Sequence, residues 1–171
     1  TAAGASGAAA AVGAPADSGR QLVHRADPRL VGEVRAFAAR RGATPLMVLL
    51  AGYAALLHRV SGAGEITVGS PVVNRDGAGA GGALGYFGNT VCLRLAVSPA
   101  DTFGEVVDRA REVCRGAFAH AHVDLADVAR ELNPDRADGV SSLFSTMFAV
   151  RAPAAAALHG RDLRGARRPL H

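Results

Sequence analysis

The sequence predicts an α/β (α+β) fold in which helices pack on a mixed sheet. Four segments carry apolar residues at helical spacing, three have β-branched or alternating character, and start and stop signals separate them. The predicted order is two helices, two strands, two helices and one strand. A helical crossover between two strands of one sheet favours parallel or mixed pairing. A chain of 171 residues suits one domain with a buried core.

The first two helices are predicted near residues 28–41 and 45–61. Asp27-Pro28 places a capping residue before a proline at the first helical position, and Thr44-Pro45 does the same for the second helix. A glycine follows the last turn of each pattern, as is common at helix C-termini. We expect these two helices to pack together.

The third and fourth helices are predicted near residues 103–121 and 125–132. Thr102 and Glu105 form a capping-box pattern, in which each side chain satisfies a free amide at the helix start. Asp124 stands at the start of the fourth helix and can cap it in a similar way.

Strands are predicted at residues 65–73, 90–97 and 143–150. Around the second strand, the period of two places four residues on one face: Asn89, Val91, Leu93 and Leu95. The amide of Asn89 then enters an apolar face and needs partners, because an unpaired buried amide costs about 1–3 kcal/mol. The amide can bond local backbone at a bend, which is common for asparagine, or can contact a functional group.

The stretch from Gly69 to Leu95 is the most informative part of the sequence, with two extended runs around a glycine-rich loop. Its distinctive residues are Gly69, Pro71, Val72, Arg75, Gly85, Phe87, Asn89, Thr90 and Arg94. They resemble the condensation domain of nonribosomal peptide synthetases, which reads G-x-P-V-x-x-R, a variable loop, and then I-G-x-F-x-N-T-x-x-x-R.

Both flanks extend this resemblance, which covers about Asp27 to Leu170. Residues 44–62 look like the family's preceding helix, residues 119–134 are similar to its H-Q-D-x-P-F-E block, and residues 141–148 to its S-P-L-F-x-V-M-F block. The chain departs from the family where Asp124, Leu125 and Ala126 replace Pro, Phe and Glu.

The resemblance implies one lobe of the two-lobed chloramphenicol acetyltransferase-like fold. The family's H-H-x-x-x-D-G motif belongs to the N-terminal lobe, and no two histidines of this sequence are adjacent. We therefore expect residues 20–171 to form a C-terminal lobe whose partner is an N-terminal lobe outside this sequence. Residues 1–19 are rich in Ala and Gly and are interpreted as a linker or excised segment.

The function implied by the resemblance is amide bond formation between an acyl donor and an amine acceptor. Both would be carried on phosphopantetheine arms of upstream and downstream carrier proteins, with no cofactor bound directly. Candidate tunnel residues are Asn89, Tyr86, Gly85 and Arg75. Arg20 and Arg94, together with Arg75, are candidates for an ion pair between the lobes. No catalytic residue and no metal ligand is assigned, so the chain alone is expected to be inactive.

Two alternatives stay open. The chain can be a non-catalytic platform that docks a carrier protein or tailoring enzyme, or a related acyltransferase outside peptide assembly lines. Ser142 in place of the family's proline and the altered block at Asp124 favour the first alternative. An intact H-H-x-x-x-D-G motif upstream of Thr1 would favour the enzyme.

Charge and composition argue against several other classes. The sequence has no lysine, and its arginines are scattered among Asp and Glu rather than clustered with aromatics, so nucleic-acid binding is not expected. The longest apolar run, Leu46 to Leu57, is too short to span a bilayer. Cys92 and Cys114 form no C-x-x-C pair, which fits a reducing cytoplasm, and both are predicted to be structural.

Two motifs invite a cofactor interpretation that their spacing does not support. The glycine run from Gly77 to Gly82 lacks the Gly-Lys-Ser/Thr of a phosphate-binding loop, and we interpret it as a connection. His120 and His122 are two residues apart and lack further ligands at zinc spacing.

Overall fold

The computed structural model describes residues 19, 21–73, 87–132, 143–151, 158–159 and 164–165. The helices are α1 (Pro28–Arg40), α2 (Pro45–Ser61), α3 (Phe103–Ala119) and α4 (Leu125–Leu132). The strands are β1 (Glu65–Val73), β2 (Gly88–Ala96), β3 (Leu158–His159) and β4 (Arg164–Gly165). All four predicted helices and the first two predicted strands are confirmed to within two residues at each end. The short antiparallel pair β3–β4 was not predicted.

The caps inferred from the sequence are present at the helix starts. The Asp27 carboxylate accepts from the Arg29 amide at 2.8 Å. At α3, the Glu105 amide donates to Thr102 Oγ1 at 3.4 Å, and the Thr102 amide donates to the Glu105 carboxylate at 2.7 Å. The Asp124 carboxylate accepts from the Ala126 amide at 2.7 Å and so begins α4. These bonds satisfy amides that a helix leaves free in its first turn.

The sheet is built from β1 and β2, which run antiparallel from the pair Glu65 and Ala96 to the pair Val73 and Gly88. One face is buried, and at its centre Val68 lies opposite Leu93, both fully inaccessible to solvent. The period-two prediction for β2 is confirmed, because Val91, Leu93 and Leu95 are all buried.

Helices α2 and α3 cover the buried face of the sheet. Leu50 of α2 and Val107 and Cys114 of α3 are fully buried in the same apolar cluster as Val68 and Leu93. Full burial of one aliphatic side chain stabilises the fold by about 1.5–3 kcal/mol. The cluster therefore fixes both helices against the strands.

The loop after α1 is tied to α3 by polar contacts. Arg41 Nη1 donates to the Asp108 carboxylate at 2.6 Å, and Arg111 Nη1 donates to the Arg41 carbonyl oxygen at 2.7 Å. A Cβ at Gly104 would clash with the Arg41 guanidinium, so the glycine leaves space for this contact. Helix α1 is thereby held beside the start of α3.

The prediction of a third strand at residues 143–150 is wrong. The segment forms a single parallel bridge, Gly69 with Met147, in which the Gly69 amide donates to the Thr146 carbonyl at 3.0 Å and the Phe148 amide donates to the Gly69 carbonyl at 2.8 Å. The chain turns at Leu143 and bends at Ser145, which limits its pairing with β1.

Contacts between side chains, and not a ladder of backbone hydrogen bonds, hold this segment in place. The hydroxyls of Tyr53 and Thr146 are 2.6 Å apart, and the Tyr53 ring stacks on Phe148 at 5.5 Å between centroids. The Phe144 ring lies against Gly69, where a Cβ would come within 2.5 Å of it. This bridge is parallel, but both sheets among the described residues are antiparallel pairs, so the α/β class is confirmed and a mixed sheet is not seen there.

Within the described residues no single helix is long and apolar enough to cross a membrane, although α1 and α2, bent by 105° from each other, meet the length and composition criteria as a pair.

We predict that Leu93→Ala lowers the free energy of unfolding by about 2–5 kcal/mol, because the substitution opens a cavity at the centre of the core. Leu56→Ala is the matched control, since 55% of Leu56 is exposed. Its effect should stay within about 0.5 kcal/mol. Urea unfolding of the purified chain measures both values, and equal losses would contradict the packing of Leu93 in the core.

Candidate functional site

Asn89 connects the start of β2 to the turn between α3 and α4. Its side-chain nitrogen donates to the Ala121 carbonyl oxygen at 2.8 Å and to the Val123 carbonyl oxygen at 2.6 Å. Its side-chain oxygen accepts from the Thr90 amide at 2.8 Å. Both amide hydrogens and the oxygen are therefore used, as a half-buried asparagine requires.

The strand alternation explains why Asn89 reaches this turn. Asn89 lies opposite Val72, on the same face as Val91 and Leu93, so its side chain follows the buried face toward α3. Helix α3 ends at Ala119, and the residues after it turn before α4 begins. The carbonyls of Ala121 and Val123 lie between the two helices, and they accept their hydrogen bonds from Asn89 on the strand. Two of the three Asn89 bonds therefore reach a distant turn, and the third is local, from the Thr90 amide.

A cavity of about 240 Å³ lies next to this contact. Strand β2 contributes Thr90, Val91 and Cys92 to its wall. The other lining residues come from α3, α4 and the turn between them: Ala117, His120, Val123, Leu125 and Val128. Among the described residues, the lining is mainly aliphatic and contains no carboxylate or guanidinium group. Sequence reasoning missed this cavity, because residues from separate elements of the chain form its two walls.

The other predicted site residues are not brought together in the described part of the chain. Arg94 pairs with Glu65 on the neighbouring strand at 2.8 Å, and its side chain is 70% exposed. Such an exposed pair contributes little to stability, and Arg94 still faces solvent. Arg20, Arg75, Gly85 and Tyr86 lie outside the described residues. Their roles stay predictions.

His120 and His122 lie in the turn that Asn89 holds. The His120 ring nitrogen Nδ1 donates to the Gly116 carbonyl at 2.9 Å, and the two imidazole centroids are 6.4 Å apart. Across residues 21–73, 87–132 and 143–151, no group of three or more His, Cys, Asp or Glu side chains is placed to hold a metal ion.

Comparison with known proteins decides the family. A family model described as the condensation domain matches residues 14–157. This chain belongs to the condensation-domain family. Phosphinothricin tripeptide synthetase PhsB of Streptomyces viridochromogenes is 36% identical over 146 residues, which cover 80% of this chain and 12% of that synthetase. A linear gramicidin synthase from Brevibacillus parabrevis is 35% identical over 125 residues, which cover 73% of this chain and 2% of that protein.

Solved condensation domains share the fold. The first condensation domain of the CDA synthetase matches with a TM-score of 0.60 and 34% identity over 74% of this chain and 27% of that one. A four-domain nonribosomal peptide synthetase matches with a TM-score of 0.64 at 23% identity, which supports the fold alone. This condensation-domain chain thus spans about a quarter of the solved CDA domain.

The two cysteines of this condensation-domain chain differ in their surroundings. Cys114 is fully buried in the core, as predicted, and burial raises its pKa to about 11. Cys92 is half-buried in the wall of the cavity, and burial raises its pKa above the ordinary 9.0. The prediction that Cys92 is simply structural is therefore incomplete, since its thiol also lines a concave surface.

We predict that iodoacetamide modifies Cys92 at least about tenfold faster than Cys114 at pH 8, because alkylation requires an accessible thiolate. Since the pKa of Cys92 is raised, its rate should still be rising at pH 9. Peptide mass spectrometry quantifies both sites. In concentrated urea the two rates should converge, and equal rates in the folded protein would contradict the burial of Cys114.

Proposed function

We propose that this chain is the C-terminal lobe of a nonribosomal peptide synthetase condensation domain and forms one wall of the tunnel in which the amide bond is made. The match of the condensation-domain model to residues 14–157 carries this proposal. The similarity to synthetases that assemble peptides and to a solved condensation domain supports it. An N-terminal lobe would supply the histidine that deprotonates or orients the amine.

The substrates would be an acyl thioester and an amine, each held on the phosphopantetheine arm of a carrier protein. The amine nitrogen attacks the thioester carbonyl, the C–S bond breaks, and the upstream arm leaves as a thiol. This lobe would align the two groups, and good alignment can remove roughly 7–11 kcal/mol from a barrier. We place the reaction in the cytoplasm, which the absence of a C-x-x-C pair favours.

Asn89 is one residue through which this lobe would influence the reaction. It joins two blocks that resemble family motifs, because its amide at the start of β2 holds the turn that contains His120 and His122. This side chain thus ties the start of the strand to the turn. We propose Asn89 as a positioning residue and Tyr86, Gly85 and Arg75 as its neighbours along the tunnel. Arg20 and Arg94 stay candidates for the contact with the other lobe.

In the full-length synthetase, Asn89→Ala should lower single-turnover amide formation by about ten- to a hundredfold. The physical reason is the loss of positioning hydrogen bonds, each worth about 1–3 kcal/mol when its partner is left unpaired. Asn89→Asp keeps the size of the side chain but turns an oxygen toward two carbonyl oxygens, so its loss should be at least as large.

A thermal melt of each variant separates positioning from folding. We expect Asn89→Ala to stay folded and to melt cooperatively, with a melting temperature lowered by only about a few degrees, because the two carbonyls that lose their partner lie near the surface and can bond water. An unchanged rate with a lowered melting temperature would instead make Asn89 a purely structural support of the turn.

The purified 171-residue chain should form no amide from a synthetic thioester donor and a free amine, because it contains no adjacent histidine pair. Product measured by mass spectrometry above the uncatalysed background would show that the active site is misplaced. The full-length synthetase assayed in parallel is the positive control. If that enzyme is also inactive in condensation, the docking platform becomes the better interpretation.

A further inference from the structure

The cavity beside Asn89 has walls that meet only in the folded chain. Thr90 and Cys92 come from β2, Ala117 comes from α3, and Leu125 and Val128 come from α4. A larger cavity, of about 460 Å³, lies between α1 and the start of α3 and contains none of the predicted site residues. Of these two cavities, the smaller one adjoins the Asn89 contact.

The lining selects for an uncharged, apolar occupant. Aliphatic side chains form most of the wall, and the polar groups are one hydroxyl, one thiol and the imidazole of His120. A cation entering this space would lose hydration without finding a carboxylate among the described lining residues. A volume of about 240 Å³ is below the range of pockets that hold drug-sized ligands. It suits one amino-acid side chain or a short acyl group.

The Asn89 contact connects this cavity to the proposed reaction. Val123 lines the cavity, and its carbonyl accepts one of the two Asn89 bonds, at 2.6 Å. Thr90, the next residue along β2, lines the same space. The amide that would position the reactants also holds one wall of the cavity in place.

We propose that this cavity binds the apolar side chain or acyl group of a carrier-bound substrate and that Ala117 and Val128 set the size it accepts. The proposal rests on the proposed function, because the ligand is a substrate of amide formation. Ala117 is partly buried against the core, so a larger residue there would extend into the cavity. Val128 of α4 also lines the cavity, and shortening it would enlarge the space.

The test measures kcat/KM of the full-length synthetase for substrates that bear alanine or phenylalanine side chains. One arm varies the thioester donor with a glycine acceptor, and the other varies the acceptor with an acetyl donor. Ala117→Leu should lower the phenylalanine-to-alanine ratio by about tenfold in one arm, since a few methylene groups discriminate to that extent. Val128→Ala should shift the ratio in the opposite direction in the same arm. The responding arm identifies which substrate occupies the cavity.

Ala126→Leu is the matched control, because Ala126 is exposed on α4 and makes no part of the cavity wall. Its ratio should equal that of the wild type. If Ala117→Leu does not fold, Val128→Ala alone carries the test. Unchanged ratios for folded variants in both arms would overturn the proposal for the cavity. The proposed function would still stand in that case, because the wild-type enzyme makes amide.

A second readout does not depend on turnover. The responding substrate, loaded on its carrier protein, should slow iodoacetamide modification of Cys92 in the wild-type synthetase, with Cys114 as the internal reference. A wild-type enzyme that makes no amide would contradict the proposed function. The rate of Cys92 modification would then still test whether the cavity binds the carrier-bound group. Equal rates of Cys92 modification with carrier proteins loaded with phenylalanine and with glycine would overturn the proposal that the cavity binds a side chain.

Discussion

The burial of one face of the β1–β2 sheet against α2 and α3 is the constraint on which the rest of this structure depends. Val68 and Leu93 are paired across the strands and fully buried, and a slip of β2 by one residue would turn Leu93 toward solvent. The core therefore fixes the register of β2. Because Asn89 belongs to the same face, that register also determines that its amide meets the end of α3. The position of the candidate site follows from hydrophobic packing.

Local sequence signals were sufficient for the helices and for the first two strands. Proline at Pro28 and Pro45 and the capping box at Thr102 act within a few residues, so they can be recognised without knowledge of the fold. The segment 143–150 was not predictable in this way. Its single bridge depends on space above Gly69 for the Phe144 ring and on the hydroxyl of Tyr53, and these partners lie far away along the chain.

The candidate site was predictable only in part for the same reason. The sequence identified Asn89 as a polar residue entering an apolar face, which requires partners. It could not identify those partners, because the acceptors are the main-chain carbonyls of Ala121 and Val123. Every residue has such a carbonyl, so the sequence does not indicate which ones accept. The cavity has the same origin. Its walls are ordinary aliphatic residues that local patterns assign to the core, and only the tertiary arrangement leaves Cys92 and Ala117 facing an open space.

A lobe without adjacent histidines can act on amide formation in two physically different ways. In the role proposed for it, Asn89 would position the reacting atoms, which are common to all substrates, so its loss should lower every rate by a similar factor. In our proposal the cavity would contact a group that differs between substrates, so changes at Ala117 or Val128 should alter ratios of rates. Both effects depend on the turn at residues 120–124, because Asn89 donates a hydrogen bond to Val123 and Val123 also lines the cavity. Some loss of discrimination should therefore accompany loss of the Asn89 amide, whereas a change in cavity size should leave alignment of small substrates intact.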